Sequence, residues 1–214
     1  MNGNHARAVS PNDFKGRVHI IGGPGTGKST IAHRLGKLLA LPVYDLDKIA
    51  FEGKEFRPRS PAAKQADVAR IAGQPAWITE GIFLGWTDEL LEKADVILWI
   101  DHLTWPVAAY RIVRRFLMGG IAEAKRQRGI RKVSRFGDYA EHSRQLWHVL
   151  ASTRCYYTSS LAHGPGALRE SRCATLQTLV PYSDKVIRCR SQSEIDAVLA
   201  EFAGRKSDSR LIPA

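Results

Sequence analysis

Residues 17–40 read RVHIIGGPGTGKSTIAHRLGKLLA, and their centre, Gly22-Gly23-Pro24-Gly25-Thr26-Gly27-Lys28-Ser29, fits the pattern G-x-x-x-x-G-K-[ST]. The context supplies what so short a pattern needs. Val18, Ile20 and Ile21 lead in as a β-branched strand, and Ile31, Leu35, Leu38 and Leu39 recur at the three-to-four spacing of a helix face. Strand, glycine turn and helix is the order in which successive backbone N–H groups converge on a phosphate, with the partial positive charge of a helix N-terminus behind them. The pattern therefore predicts a nucleoside triphosphate site, with ATP as the expected nucleotide. Its lining is Gly23, Pro24, Gly25, Thr26, Gly27, Lys28, Ser29 and Thr30. Lys28 is expected to reach the β- and γ-phosphates, and the Ser29 hydroxyl to complete a Mg²⁺ shell.

The chain has 214 residues, within reach of one domain carrying a small insertion. Its hydrophobic share of 44% supports a real core, and no apolar run approaches the ~20 residues of a membrane span. The first 16 residues are polar and lack a signal-peptide stretch, and Cys155, Cys173 and Cys189 show no CxxC spacing. A reducing, cytoplasmic setting with neither a disulfide frame nor a zinc site is the expectation. The net charge of +11 is concentrated. Between positions 111 and 135 lie nine basic residues (Arg111, Arg114, Arg115, Lys125, Arg126, Arg128, Arg131, Lys132 and Arg135) against the single acid Glu123, a net +8. Charge gathered in this way marks a site or an interface.

Further strands are expected at 42–47, 76–80, 94–101 and 185–189, and helices at 61–71, 88–93, 104–118, 138–161 and after Ser191. Gly119-Gly120 is expected to interrupt the helix before the basic segment. Leu146, Trp147, Leu150, Tyr157 and Leu161 are expected along one side of the following helix, and Trp77, Trp99 and Trp147 in the core. Ser191-x-x-Glu194 forms a capping box ahead of Ile195, Val198, Leu199 and Phe202. Alternating strands and helices imply an α/β fold with a parallel sheet, whose ligands lie at the carboxyl ends of the strands. Gly22, Asp45, Asp47, Glu80 and Asp101 all fall at such ends. The domain organisation expected is a loose lead-in (1–16), one domain (17–203) with a basic lid at about 119–136, and a frayed tail (204–214).

The segments IIGGPGTGKSTIAHRLGKLLALPVYDLDKI, WITEGIF, ADVILWID and RIVRR together resemble adenylate-kinase-like P-loop NTPases and kinases, in particular the group labelled DNA topology modulation (FlaR-type) proteins. The resemblance runs from about position 17 to 135. It implies a three-layer α/β/α sandwich on a five-stranded parallel sheet in the order 2-3-1-4-5, an acceptor segment after strand 2, and a mobile basic lid after strand 4. Adenylate kinases carry DGFPR after the third strand, where this chain has Glu80-Gly81-Ile82-Phe83. The Asp45-x-Asp47 pair is similar to that of shikimate- and gluconate-kinase-like enzymes, whose acceptor is a small hydroxyl compound.

Phosphoryl transfer needs alignment, a metal and cationic groups around the moving phosphoryl. Asp47 is the expected acceptor-side carboxylate, with Asp45 beside it, and Glu80 is expected to join Ser29 in holding Mg²⁺. Arg111 and Arg115 are candidates to neutralise developing charge, Arg128 and Arg131 to close over the nucleotide, and Arg57 to hold an anionic acceptor. The leading expectation is a kinase that transfers the γ-phosphoryl of Mg·ATP to a small molecule. The competing ones are a nucleic-acid-associated regulatory ATPase, gripping DNA with its basic stretch, and a nucleotide-gated binding protein without turnover.

Overall fold

The computed structural model describes residues 14–53, 57–126, 135–159 and 170–207, with side chains left aside at 119–145 and 205–207. Seven strands and eight α-helices follow in the order β1 (Arg17–Gly22), α1 (Lys28–Leu39), β2 (Val43–Asp45), α2 (Leu46–Ala50), β3 (Phe51–Glu52), β4 (Arg57–Pro58), α3 (Pro61–Ala72), β5 (Trp77–Gly81), α4 (Asp88–Lys93), β6 (Val96–Ile100), α5 (Trp105–Arg126), α6 (Arg135–Thr158), α7 (Arg172–Leu179), β7 (Val186–Cys189) and α8 (Gln192–Ser207). Five strands form one sheet in the order β2-β5-β1-β6-β7, with every pairing parallel. Numbered among themselves, these strands run 2-3-1-4-5, as expected. The small β3–β4 hairpin stands apart.

Helices cover both faces because the central strands are apolar on both. Val18, Ile20, Val96, Leu98 and Ile100 pack with Ile31, Leu35 and Leu39 of α1 and with Ile195, Leu199 and Phe202 of α8. The opposite side chains, Ile21, Ile97, Trp77 and Trp99, pack with Leu46 and Ile49 of α2, Val68 and Ile71 of α3, Leu90 and Leu91 of α4, and Leu179 of α7. That is the near-continuous hydrophobic run a doubly covered parallel strand requires. Of the capping box ahead of α8 the first half is present, Glu194 N–H donating to Ser191 Oγ at 3.1 Å, while Glu194 Oε2 accepts from the N–H one residue further out, that of Arg190, at 2.7 Å.

Several sequence expectations are corrected. The segment at 42–47 is not one buried strand. β2 is a three-residue, half-buried edge strand, and α2 begins at once because Asp45 caps it, accepting from Asp47 N–H at 3.0 Å. Gly119-Gly120 does not interrupt a helix: α5 continues through both to Arg126, since two glycines cost only about 1 kcal/mol each in a long helix. Trp147 is 72% exposed, whereas Tyr156 is buried. At about 100° per residue, Trp147 falls off the stripe formed by Leu146, Leu150, Thr153 and Tyr157. Helix α7 was not anticipated; Ser171 caps it, accepting from Ala174 N–H at 3.0 Å. The lead-in is anchored by its last residues, with the Phe14 ring packed at a tilt against Phe202 and Lys15 N–H donating to Asp95. At the other end, α8 carries the chain to Ser207. Among the described residues no helix is long and apolar enough to cross a membrane.

His19, in the middle of β1, is fully buried; its Nδ1 meets Thr79 Oγ1 at 2.8 Å, and its Nε2 has no partner. Burial lowers its pKa to about 4. The unfolded chain, titrating near 6.5, takes up a proton that the folded chain refuses, so His19 costs stability as the pH falls from about 6.5 towards 4. Urea denaturation at pH 7 and pH 5 should show a loss of about 2 kcal/mol from this group, absent from the pH dependence of His19→Asn.

Candidate active site

The turn between β1 and α1 is built for an anion. Gly27 is the residue ahead of α1, with φ +88°, where a β-carbon would be strained, and it brings no capping side chain. The first turn of α1 holds no acidic residue. Its leading N–H groups are therefore left for a ligand. The Thr26 hydroxyl donates to Gly23 O at 2.8 Å, and the Lys28 ammonium donates to the same oxygen at 3.0 Å. Gly23 is required by close approach: a β-carbon there would lie 2.4 Å from a Tyr156 ring carbon and 2.7 Å from the Tyr157 hydroxyl.

Around this turn the sheet gathers charge. Asp45 and Glu80 are register partners at the carboxyl ends of β2 and β5, and Glu80 also pairs with Ile20 of β1. Glu80 is 4% exposed. Burial raises its pKa, while a hydrogen bond from the Ser29 hydroxyl and the nearby Lys28 ammonium pull it back. Lys28 is pushed down by burial and by Arg115, against the pull of Glu80, Asp47 and Asp45. Asp47 opens to solvent in the first turn of α2, yet its pKa is raised by partial desolvation and by Asp45, and lowered by Lys28 and Arg115. Lys28, Ser29, Asp45, Asp47, Glu80 and Arg115 thus form one electrostatic cluster at the mouth of the loop. Asp45 has a second tie, an ion pair with Lys48 at 3.8 Å. Beside it lies a cleft of about 310 Å³, lined by His33, Tyr44, Asp45, Lys48, Arg59 and Asp67 among others.

The remaining expected residues fall into three groups. Arg111 reaches the outer side of the loop, its Nη1 donating to Gly25 O at 3.4 Å with His102 Nε2 at 3.5 Å. Arg57 is exposed on the β3–β4 hairpin opposite Glu52, whereas Arg59 turns inward to Ile49 O and to Asp67 at 2.7 Å. Arg128 and Arg131, with most of the expected lid, lie outside the described residues. Thr30 is exposed in the first turn of α1.

Asp101 corrects the idea that every strand-end carboxylate faces the ligand. It is buried and fully engaged: Arg172 Nε approaches at 2.8 Å and Arg188 Nε at 2.9 Å, and the Arg188 guanidinium lies 4.0 Å from the centre of the Trp99 ring. Strand periodicity puts Asp101 on the face of Trp99, and Arg188 is the cross-strand partner of Trp99. Sequence reasoning missed Arg172, Arg188, His102, Tyr156 and Tyr157 as neighbours of the site. Their only signal is a parallel register and a helix packing that local patterns do not encode.

Mg²⁺ suits the donors present. Ser29 and Glu80 are hard oxygen ligands, with the Ser29 hydroxyl near enough to pull the Glu80 pKa down, and Mg²⁺ takes only one or two protein oxygens beside phosphate and water. Among the described residues no group of three or more His, Cys, Asp or Glu forms a metal cage.

No family model and no curated protein matches the chain in sequence. Solved structures similar to it include a gluconokinase from Sinorhizobium meliloti 1021 (16% identity, 92% of this chain and 98% of that one, TM-score 0.44). Others are a sugar kinase from Janibacter sp. HTCC2649 (15%, 87% and 94%, TM-score 0.40) and shikimate kinase from Acinetobacter baumannii in complex with shikimate (15%, 81% and 97%, TM-score 0.37). Likeness at this level assigns neither a substrate nor a residue role.

Asp101→Ala would leave two arginines facing a void. The expected cost is about 2–3 kcal/mol, at the lower end for a broken buried pair because both arginines keep part of their surface in water. Urea denaturation measures it.

Proposed function

We propose that this chain is an ATP-dependent phosphotransferase that moves the γ-phosphoryl of Mg·ATP to a hydroxyl of a small polar acceptor. The observation that carries the reading is the single cluster in which Glu80, Asp47, Asp45 and Arg115 all act on Lys28 at the mouth of a glycine loop. A loop that only bound a nucleotide would not need a solvent-facing carboxylate with a raised pKa beside its lysine.

In this reading the backbone N–H groups of the loop and of the first turn of α1, from Gly25 to Thr30, hold the β- and γ-phosphates. Lys28 leaves Gly23 O and follows the γ-phosphoryl. Ser29 and Glu80 would hold Mg²⁺, which when bound neutralises charge on the phosphate oxygens. Asp47 accepts the proton of the acceptor hydroxyl as the new O–P bond forms and the bond to the ADP oxygen breaks. Arg115 shares the field of Lys28 and Asp47 and is positioned to steady the negative charge in flight, whereas Arg111 acts on the loop from outside. Asp45 orients Asp47 by capping α2. The mixed-charge cleft beside Asp45 favours a hydroxyl-bearing, polar acceptor; Arg57 would hold an anionic group of that acceptor, and Arg128 and Arg131 would close over the nucleotide. Of the basic stretch, Arg111 and Arg115 turn towards the loop, which favours a kinase over a DNA-gripping ATPase.

The test is ADP release from Mg·ATP across nucleosides, nucleotides, sugar acids, cyclic polyols and DNA. Stimulation by one small molecule is expected; stimulation by DNA alone, fading as salt rises, would overturn the reading. Lys28→Ala should abolish turnover. Asp47→Asn should lower kcat by about 100-fold or more while leaving ATP affinity within about threefold, because a base contributes chiefly in the transition state. The acid limb of kcat/KM should lie above the ordinary aspartate value of 3.8, since desolvation raises Asp47, and it should vanish in Asp47→Asn.

A further inference from the structure

Three successive carbonyls of the loop each accept a hydrogen bond from a side chain. Gly23 O is held from within, by Thr26 and Lys28. The other two are held from far along the chain. Pro24 O accepts from the Tyr157 hydroxyl at 3.0 Å, 133 positions away, and Gly25 O accepts from Arg111 at 3.4 Å, 86 positions away. Arg111 belongs to α5 and Tyr157 to α6, the two helices that flank the basic segment.

A trans peptide is a rigid plane whose C=O and N–H point in opposite directions. No peptide here is cis, so fixing the Pro24 carbonyl on one side fixes the Gly25 N–H on the other. Gly25, with φ +80°, has no side chain to restrict its backbone, so its N–H has freedom to turn unless it is held. The contact is also seated. Tyr156 is 1% exposed, meets Tyr157 edge-on at 5.1 Å between ring centres, and presses on Gly23. Burial and the adjacent Tyr156 push the Tyr157 phenol well up, so its O–H remains a donor at any physiological pH.

We propose that Tyr157 is a positioning residue for nucleotide binding: by holding Pro24 O it orients the Gly25 amide towards the phosphates and ties the loop to the α5–α6 helices. This rests on the phosphate-site reading above. Arg111 performs the weaker, outer half of the same task, which explains why it faces a carbonyl rather than the carboxylate cluster. Movement of α6 then changes the binding competence of the loop without any contact between α6 and the nucleotide.

Tyr157→Phe keeps the ring and removes only the donor. Amide hydrogen exchange in the nucleotide-free protein is measured first, over residues 23–29, alongside the melting temperature. Faster exchange in the loop with the melting temperature unchanged is expected. Equal exchange in wild type and variant would overturn the proposal whether or not ATP binds. Titration with Mg·ADP follows, and Tyr157→Phe should raise Kd about fivefold, the equivalent of one neutral hydrogen bond. Nucleotide should slow exchange across residues 146–158 in wild type and do so less in the variant. A lower melting temperature with unchanged Kd and unchanged coupling would make Tyr157 a merely structural residue and end the proposal. Failure of the phosphate-site reading looks different: wild type and Lys28→Ala would then both fail to bind Mg·ADP, while the exchange result for the loop would stand by itself.

Discussion

A backbone loop can offer its amides to a phosphate only if its carbonyls are accommodated elsewhere, because each peptide plane carries both. The turn from Gly23 to Gly25 meets that constraint with side chains. Thr26 and Lys28 take the first carbonyl, Tyr157 the second and Arg111 the third. The consequences spread through the fold. Gly23 must lack a β-carbon because Tyr156 and Tyr157 occupy that space. Helices α5 and α6 must return to the same end of the sheet as the loop, and the parallel sheet with crossovers on both faces makes that return possible.

The strands flanking β1 end in carboxylates with opposite fates. Glu80, on β5, is buried beside the Ser29 hydroxyl and Lys28 of the loop. Asp101, just beyond β6, is equally buried, but two guanidinium groups saturate it and join α7 and β7 to the sheet. The same residue chemistry at the same end of neighbouring strands thus yields a site on one side and an anchor on the other. What differs is the supply of partners. Arg172 and Arg188 arrive only on the β7 side, while β5 neighbours β2 and the short α2 helix, which bring one carboxylate each, Asp45 and Asp47.

Much of this was legible in the chain. The glycine pattern marked the loop, hydrophobic runs marked the five sheet strands to within one or two residues, though β2 is only half-buried and gives way at once to α2, and the Ser191-x-x-Glu194 pattern marked the last helix. Misreadings cluster where a local rule met a tertiary one. Gly119-Gly120 looked like a break because glycine is a poor helix former, yet the helix was long enough to absorb the cost. Trp147 looked like core because it is large and apolar, but its position on α6 is off the packed stripe. Asp45, expected beside the ligand, has in addition a local task that the strand-end reading did not include: it caps α2.

The sequence alone determined the loop, the alternation of strands and helices, and the carboxylates at strand ends, because each depends on residues within one or two turns of one another. Only the tertiary structure decided that Asp101 meets two arginines, and that a tyrosine 133 positions downstream holds the carbonyl of Pro24. Those pairings follow from parallel register and helix docking, which are set by the packing of whole faces. No local pattern of residues records where a distant face will land.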